Sequence, residues 1–505
     1  MMMNAPGTIL DVFAHGREKR PAIFVPEADL RVTYESLRHQ AWEMARVLAG
    51  AGVYRGDRVA IALPNGLPMV VSFFAACMAG AAAPLNPAYR HDEFNFFLGD
   101  TDAKVMICPE HGGEEACRAA TDCSIPVLTA AMDAHGTVHL QGPFEKATPK
   151  PPTKKDIALV LHTSGSTGRQ KRVPLRHVNL LISAHNIAHT YVLTPEDVTL
   201  CAMPLFHVHG LVASLLATLL SGGAVVVPKK FDAHSFWRVA KEYKVTWYSA
   251  VPAIHQALLA RAASHGRPEG AEHLRFIRSC STSLPAEVMH KMEEIFGVPL
   301  LEAYGMTEAA HQMCSNPLPP RGHKPGSVGV PAGPQVSVID SHGHHVRGEH
   351  RGEVVVRGPN VFTGYENDES ANSTSFIDGW FRTGDEGFLD QDGYLHLTGR
   401  LKEQINRAGE KISPHEIDRV LLRHPAVSEA VTFGFAHPKL NEEVAAAVVL
   451  KEPCSESALL KFCGERLAEF KCPKKVYFVE HIPQTATGKI RRSAVAAALV
   501  HEKKK

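Results

Sequence analysis

Short apolar runs, cut off by proline, glycine or charge, recur along most of the chain, and helical periodicity fills the gaps between them. Val59-Ala60-Ile61-Ala62-Leu63 is an unbroken apolar run stopped by Pro64, the pattern of a strand buried on both faces. The segment from Pro68 to Met78 then predicts a helix. Lys104–Cys108, Ala224–Val227, Val245–Val251 and Leu274–Ile277 predict further strands, each near a helical stretch. Pro285 to Phe296 predicts a helix that starts at its proline and puts Val288, Met292 and Ile295 on one face. This alternation implies an α/β fold of layered, largely parallel sheets.

The pattern changes around Arg351. Gly352–Gly358 is a short strand between glycines, and Gly- and Asp-rich turns follow it. They predict a β-rich subdomain, starting at about residue 325. Beyond Arg400 the units are short: an amphipathic helix over Ser455–Phe470 and a strand over Val476–Val479. A domain boundary is expected at Gly399–Lys402.

Composition narrows the class of protein. A chain of 505 residues exceeds what one core usually holds, so two or three domains are expected. Lys and Arg number 54 against 53 Asp and Glu, a balance that points away from nucleic acid or a membrane surface as partner. The basic tail His501–Lys505 reads as a solvated end. The ten cysteines include no C-x-x-C pair, which predicts free thiols and not a zinc site or disulfide frame. No leader pattern, bilayer-length apolar run or terminal Ser-Lys-Leu occurs, so a cytoplasmic enzyme is expected.

The apolar strand Ile157–Leu161 runs into His162-Thr163-Ser164-Gly165-Ser166-Thr167-Gly168-Arg169-Gln170-Lys171. Glycines let a backbone approach and aim its N–H groups, hydroxyls add donors, and Lys171 adds charge, so the loop suits a polyphosphate. A flexible Ser/Gly turn remains the competing reading. The loop is not a Walker A sequence, because Lys171 lies between Gln170 and Arg172, and no G-x-G-x-x-G supports a dinucleotide site.

Thr163–Gly168 followed by Lys171 resembles the phosphate loop of the adenylate-forming superfamily. That superfamily comprises acyl-CoA synthetases, firefly luciferases and nonribosomal peptide adenylation domains. The family has Pro before the lysine and Gly after it, so Gln170 and Arg172 predict a less rigid loop that keeps its phosphate contacts. Tyr304-Gly305-Met306-Thr307-Glu308 resembles the next signature. There the resemblance implies an aromatic face for adenine (Tyr304), close approach at Gly305, a catalytic Thr307, and Glu308 holding Mg²⁺ together with Thr167. The plain alternative is a helix start capped by Thr307. Ser281, Thr282 and Ser283 occupy the turn that lines adenine and acid in the family, while Ser283 also suits a helix cap before Pro285. Gly379–Asp385 resembles the ribose-binding segment, with Asp385 and Arg400 on the ribose.

Lys402 matches the family's hinge, and Gly409, Glu410 and Lys411 match the segment that swings in for thioester formation. That segment also reads as a helix entrance with Ser413 as cap, Pro414 in the first turn and Glu416 in a capping box. Lys489 matches the C-terminal catalytic lysine that stabilises charge as the acid attacks the α-phosphorus. The resemblance implies an N-terminal domain over 1–399, a hinge at 400–402 and a small mobile α+β C-terminal domain over 403–505. It implies Mg²⁺ as cofactor, ATP and CoA as co-substrates, and an acyl-adenylate intermediate.

The acid is read from Met203-Pro204-Leu205-Phe206-His207-Val208-His209-Gly210. If this segment is extended, His207 and His209 face the same way. His311 and Ser281 match pocket-wall positions, and imidazoles with hydroxyls suit a small polar acid and not a fatty acid or cinnamate. The His342–His345 cluster reads as a surface turn. Trp247–Pro252, Arg275–Ser281 and Ser315–Pro319 resemble the oxalate–CoA ligases of plants and fungi, which implies oxalate, with malonate or another short acid as runner-up. An adenylating enzyme with a non-CoA acceptor, or a nucleotide-binding protein without turnover, are the rival classes.

Overall fold

A computed structural model of the chain describes residues 7–14, 18–164, 170–408, 410–483, 490 and 492–501, without the side chains at 164, 263–265, 411 and 501. The fold is α/β, with two large mixed sheets, a β-rich subdomain and a small α+β unit at the C-terminal end.

The helix Leu67–Ala79 shows why the first sheets stack. Every residue but Pro68, which sits in its first turn, is buried. A helix apolar all round has no solvent face and must lie inside. One continuous core joins its Val70, Phe73 and Phe74 to Ile61 and Leu159 of a seven-stranded sheet and to Ile23, Val225 and Phe276 of a nine-stranded sheet. The core runs on to Val354 and Phe381 of the β-rich subdomain.

The seven-stranded sheet runs Val138–Gln141, Val127–Met132, Ala103–Pro109, Arg58–Ile61, Ala81–Pro84, Ile157–Ser164 and Gln170–Arg176, with antiparallel pairs only at its two edges. In the nine-stranded sheet, Val198–Leu200, Trp247–Ala250, Phe276–Ser279 and Leu300–Met306 are parallel neighbours. Beyond them His311–Ser315 turns back antiparallel to Leu300–Met306. In such sheets ligands collect at the carboxyl ends of the strands.

The β-rich subdomain is a six-stranded antiparallel sheet from Gln335 to Arg400. From Ile405 onward the apolar residues form clusters of their own: Ile412, Ile417, Leu421 and Val444 in one, Val431, Phe433 and Val495 in another. Contacts between this unit and the preceding sheet are polar. Gln404 Nε2 donates to Glu386 Oε1 at 2.9 Å, and Ser413 Oγ donates to the Thr398 carbonyl.

Three local expectations change. The helix over 286–296 buries Met289, Met292 and Phe296, so its inner face is rotated from the one read as Val288, Met292 and Ile295, which are only partly buried at its outer two positions. The helix expected over 455–470 stops at Gly464, with a separate short turn at Glu469–Lys471, because glycine ends helices cheaply. Ser413 does stand before the helix Pro414–Leu422, but no capping box forms. Its hydroxyl goes to Thr398, and the Glu416 carboxylate goes to Lys471 Nζ at 2.9 Å.

Among the described residues no helix is long and apolar enough to cross a membrane. All ten cysteines are free.

Candidate active site

Tyr304 is the fifth residue of the strand Leu300–Met306 and is buried, with its hydroxyl donating to Asp385 Oδ2. Asp385 and Arg400 are direct partners across an antiparallel pair, and Arg400 Nε meets the other carboxylate oxygen at 3.0 Å. Burial, with the Asp385 charge second, holds the Tyr304 hydroxyl far above a phenol's usual pKa, so it remains a donor. Each oxygen of Asp385 keeps a free lone pair after these bonds, the chemistry needed to accept from two vicinal hydroxyls such as those of a ribose.

A second cluster forms where the phosphate loop begins and ends. Thr163 and Lys171 are paired across the strands that enter and leave it. Lys171 Nζ lies 4.5 Å from the ring centre of Tyr365. The Tyr365 hydroxyl donates to Glu308 Oε1 at 2.9 Å, and Thr163 Oγ1 donates to the same oxygen at 3.4 Å. Burial and then Glu308 push the Tyr365 hydroxyl well up, so it too stays protonated. A buried carboxylate beside hydroxyls is a hard-oxygen donor set, which fits Mg²⁺. Gly165, Ser166, Thr167 and Gly168 lie outside the described residues, as does the Ser164 side chain.

Arg172 alters the expectation of a looser loop, at least for the arm that carries Lys171. Its guanidinium lies 3.5 Å from Asp100 through Nε and 3.5 Å from Glu366 through Nη1. Asp100 also meets His162 Nε2 at 2.9 Å, on the strand that enters the loop. Both arms are thus tied to one carboxylate.

The third cluster stands at the ends of the parallel strands. The segment holding His207 and His209 is not extended: Val208 is already helical and His209 opens a π-helix to Leu216. The turn is tight because a side chain at Gly210 would meet the Pro204 carbonyl oxygen at 2.3 Å. The half-buried His207 ring packs 4.7 Å from that of Phe206. His209 is 3% exposed, with Nδ1 3.1 Å from Ser281 Oγ and Nε2 2.6 Å from Ser249 Oγ. The His311 ring stacks on it, 5.2 Å away and 24° from parallel.

Irregular backbone builds this cluster. Ser281 has φ of 80°, Ala310 of 49° and His311 of 103°. Such conformations cost roughly 1–3 kcal/mol each outside glycine and gather at functional sites. The hairpin that contains two of them carries Glu308 toward Thr163 and His311 toward His209. It closes because residue 305 is glycine: a Cβ there would lie 1.9 Å from the His311 carbonyl oxygen. That close approach is to the chain itself, a different demand from the ligand approach first read for Gly305. Thr307 lies inside a short 3-10 turn, Thr307–Ala309, and does not cap it.

Thr282 is half-buried beside Ser281, whereas Ser283 is exposed and caps no helix; the following helix has Pro285 as its cap residue. Lys402 sits in the turn Leu401–Glu403 directly after Arg400. Glu410 and Lys411 belong to the strand Glu410–Ile412, paired with Ile405–Arg407. Gly409 and Lys489 lie outside the described residues.

Tyr365, Ser249, Arg278 and Asp100 were not singled out from sequence. Ser249 and Arg278 lie within the stretches that resemble the oxalate–CoA ligases, but no role was read for either.

The profile of the AMP-binding enzyme family matches residues 10–366, and that of the AMP-binding enzyme C-terminal domain matches 416–489. The chain is 47% identical over 464 residues to an oxalate–CoA ligase of Arabidopsis thaliana, covering 90% of each. It is 41% identical over 516 residues to an oxalate–CoA ligase of Saccharomyces cerevisiae, covering 94% of each. Its structure is similar to that of ATP-bound MatB from Rhodopseudomonas palustris, with a TM-score of 0.89 and 30% identity, covering 98% of this chain and 99% of that one.

Proposed function

The chain belongs to the AMP-binding enzymes, and from that premise we propose that it is an oxalate–CoA ligase working through an oxalyl-adenylate. In the first step a carboxylate oxygen of the acid attacks the α-phosphorus of ATP, forming acid–AMP and releasing diphosphate. In the second the CoA thiol attacks the activated carbonyl, forming the thioester and releasing AMP and the thiol proton.

The observation that carries the choice of acid is the His209–Ser281–His311 cluster. Its two imidazoles are buried and Ser281 is half-buried, and buried polar groups reject an alkyl or aryl chain that leaves them unpaired. They suit an acid whose far end accepts hydrogen bonds. The two oxalate–CoA ligases at 47% and 41% identity support the same reading. Malonate, or another short acid with a second charged end, is the alternative that the same cluster favours.

Asp385 and Arg400 hold the ribose in this scheme, with the Tyr304 ring, Gly305 and the Ser281–Ser283 turn at the base. Thr163, Lys171 and the intervening loop cradle the phosphates. Glu308, with Thr167, would hold Mg²⁺, which neutralises phosphate charge when bound. Thr307 and Lys489 serve the adenylation step, Lys489 steadying charge on the attacked phosphate. Rotation at Lys402 brings Gly409, Glu410 and Lys411 to the adenylate for thioester formation.

The test is AMP release with ATP, Mg²⁺ and CoA across oxalate, malonate, acetate, a medium-chain fatty acid and 4-coumarate. Oxalate should give the highest kcat/KM, and release should depend on CoA. Oxalate no better than acetate would sink the assignment.

A further inference from the structure

Arg278 lies on the strand Phe276–Ser279 and is 0% exposed. Its partners are neutral. Nε donates to the Tyr191 hydroxyl at 2.9 Å, Nη1 to Ser249 Oγ at 3.0 Å and Nη2 to Gln312 Oε1 at 3.5 Å. Among the described residues no carboxylate stands within ion-pairing distance of it. A buried cation facing only neutral groups is costly, and proteins seldom keep one without an anion to answer it.

The direction of the hydrogen bonds shows where that anion belongs. A guanidinium only donates. Ser249 Oγ therefore accepts from Arg278, which leaves the Ser249 hydrogen for His209 Nε2, 2.6 Å away. A neutral His209 that accepts at Nε2 carries its proton on Nδ1. Nδ1 is the atom 3.1 Å from Ser281 Oγ, on the side of His311 and the acid cluster. A second chain runs the other way: Tyr191 accepts from Arg278 and can pass its own hydrogen to Ser315 Oγ at 2.6 Å, whose hydroxyl donates to the Asn316 carbonyl at 2.9 Å. Both chains start at the guanidinium, so its charge orders donors outward.

We propose that Arg278 is a positioning and specificity-determining residue for the acid. Through Ser249 it fixes His209 as an Nδ1–H donor, and its charge favours an acid whose unreacted end is anionic. This deepens the reading of the site as one for a small dicarboxylate and rests on it. Screening is weak in a buried site, so the guanidinium acts on a bound anion without touching it.

The experiment uses the full-length enzyme and two small molecules of one size. Oxalate has two carboxylates; oxamate replaces one with a neutral carboxamide. The oxalate KM, the oxamate Ki against oxalate and the ATP KM are measured for wild type, Arg278→Lys, Arg278→Gln and Ser249→Ala, with a melting curve for each. Arg278→Gln should raise the oxalate KM about tenfold or more, the loss expected for a hydrogen-bond chain anchored on a charge. The oxamate Ki and ATP KM should move less than about twofold, and Arg278→Lys should recover part of the loss, because charge is restored without the planar fork. Ser249→Ala, a small change that tests the relay if the arginine variants do not fold, should shift oxalate in the same direction. An equal rise for oxalate, oxamate and ATP, or an unchanged oxalate KM in folded Arg278→Gln and Ser249→Ala, would overturn the proposal. If wild type does not activate oxalate, the assignment of the acid fails separately. Arg278 then still requires that the preferred acid carry a second anionic group, and a preferred monoanion would overturn it.

Discussion

The proposed nucleotide side and the proposed acid side of this site are built on different principles. Asp385 and Arg400 meet because strand register puts them opposite each other, and Tyr304 reaches them from the strand Leu300–Met306. Asp385 and Arg400 are paired within the protein. The proposed acid side has a π-helix at His209 and positive-φ residues at Ser281, Ala310 and His311, and Arg278, reached from it through Ser249, has no carboxylate partner among the described residues. Strand register sets the proposed ribose contacts, whereas positive-φ turns aim Ser281 and His311 in the proposed acid cluster, since a turn can re-aim a side chain without disturbing a sheet.

The comparison breaks hardest at Lys489. Lys489→Ala should lower adenylate formation by about 10²–10³-fold, the scale of losing one transition-state donor. Supplied acyl-adenylate should still react with CoA. Equal failure of pyrophosphate exchange and of thioester formation would show that the residue does not divide the two steps.

Asp385→Ala comes next, because it leaves Arg400 and the Tyr304 hydroxyl without their shared acceptor. kcat/KM for ATP should fall about 10–100-fold with the KM for oxalate nearly steady. His209→Ala and His311→Ala should do the reverse, raising the oxalate KM about tenfold while the ATP KM holds. Variants that change both constants together would mean the two halves are not separable.

The smallest effect on turnover is expected at Glu302, and it is read in stability. This buried carboxylate accepts from the Leu284 N–H at 3.2 Å and the Gly326 N–H at 3.3 Å, bracing the turn that carries Ser281. Burial pushes its pKa from 4.5 up to about 7. The folded state therefore holds a proton that the unfolded chain releases, so this contribution is full below pH 4.5 and is lost as pH rises through about 7. The difference in melting temperature between wild type and Glu302→Gln, followed from pH 4.5 to 8, should move in favour of the variant as pH rises. Taking the difference cancels the buried His177 and His255, whose pKa values burial lowers to about 4 and about 3. A flat difference would mean that Glu302 is charged in the fold throughout.

Legibility followed the same divide. The helix read from Pro68 to Met78 spans Leu67–Ala79, and the strand read at Val59–Leu63 spans Arg58–Ile61, because long apolar runs state their own burial. Tyr304, Glu308, Asp385 and Arg400 could be proposed from sequence since each lies in a short motif whose spacing is local. Tyr365 was not, because it meets Glu308 across 57 residues of sequence. The extended segment assumed for His207 and His209 is a turn entering a π-helix, while His209 meets Ser281, 72 residues away, a pocket-wall position that the resemblance had implied.

By itself the sequence determined the α/β layering, since apolar periodicity acts over a few residues, and its short motifs carried the resemblance that implies an acid–CoA ligase. Only the tertiary structure decided which imidazole faces the acid cluster, that Arg172 is held by Asp100 and Glu366, and that Arg278 stands buried behind Ser249. Those facts depend on hydrogen bonds between groups far apart in the chain, and the direction of each bond is fixed only when both partners are in place.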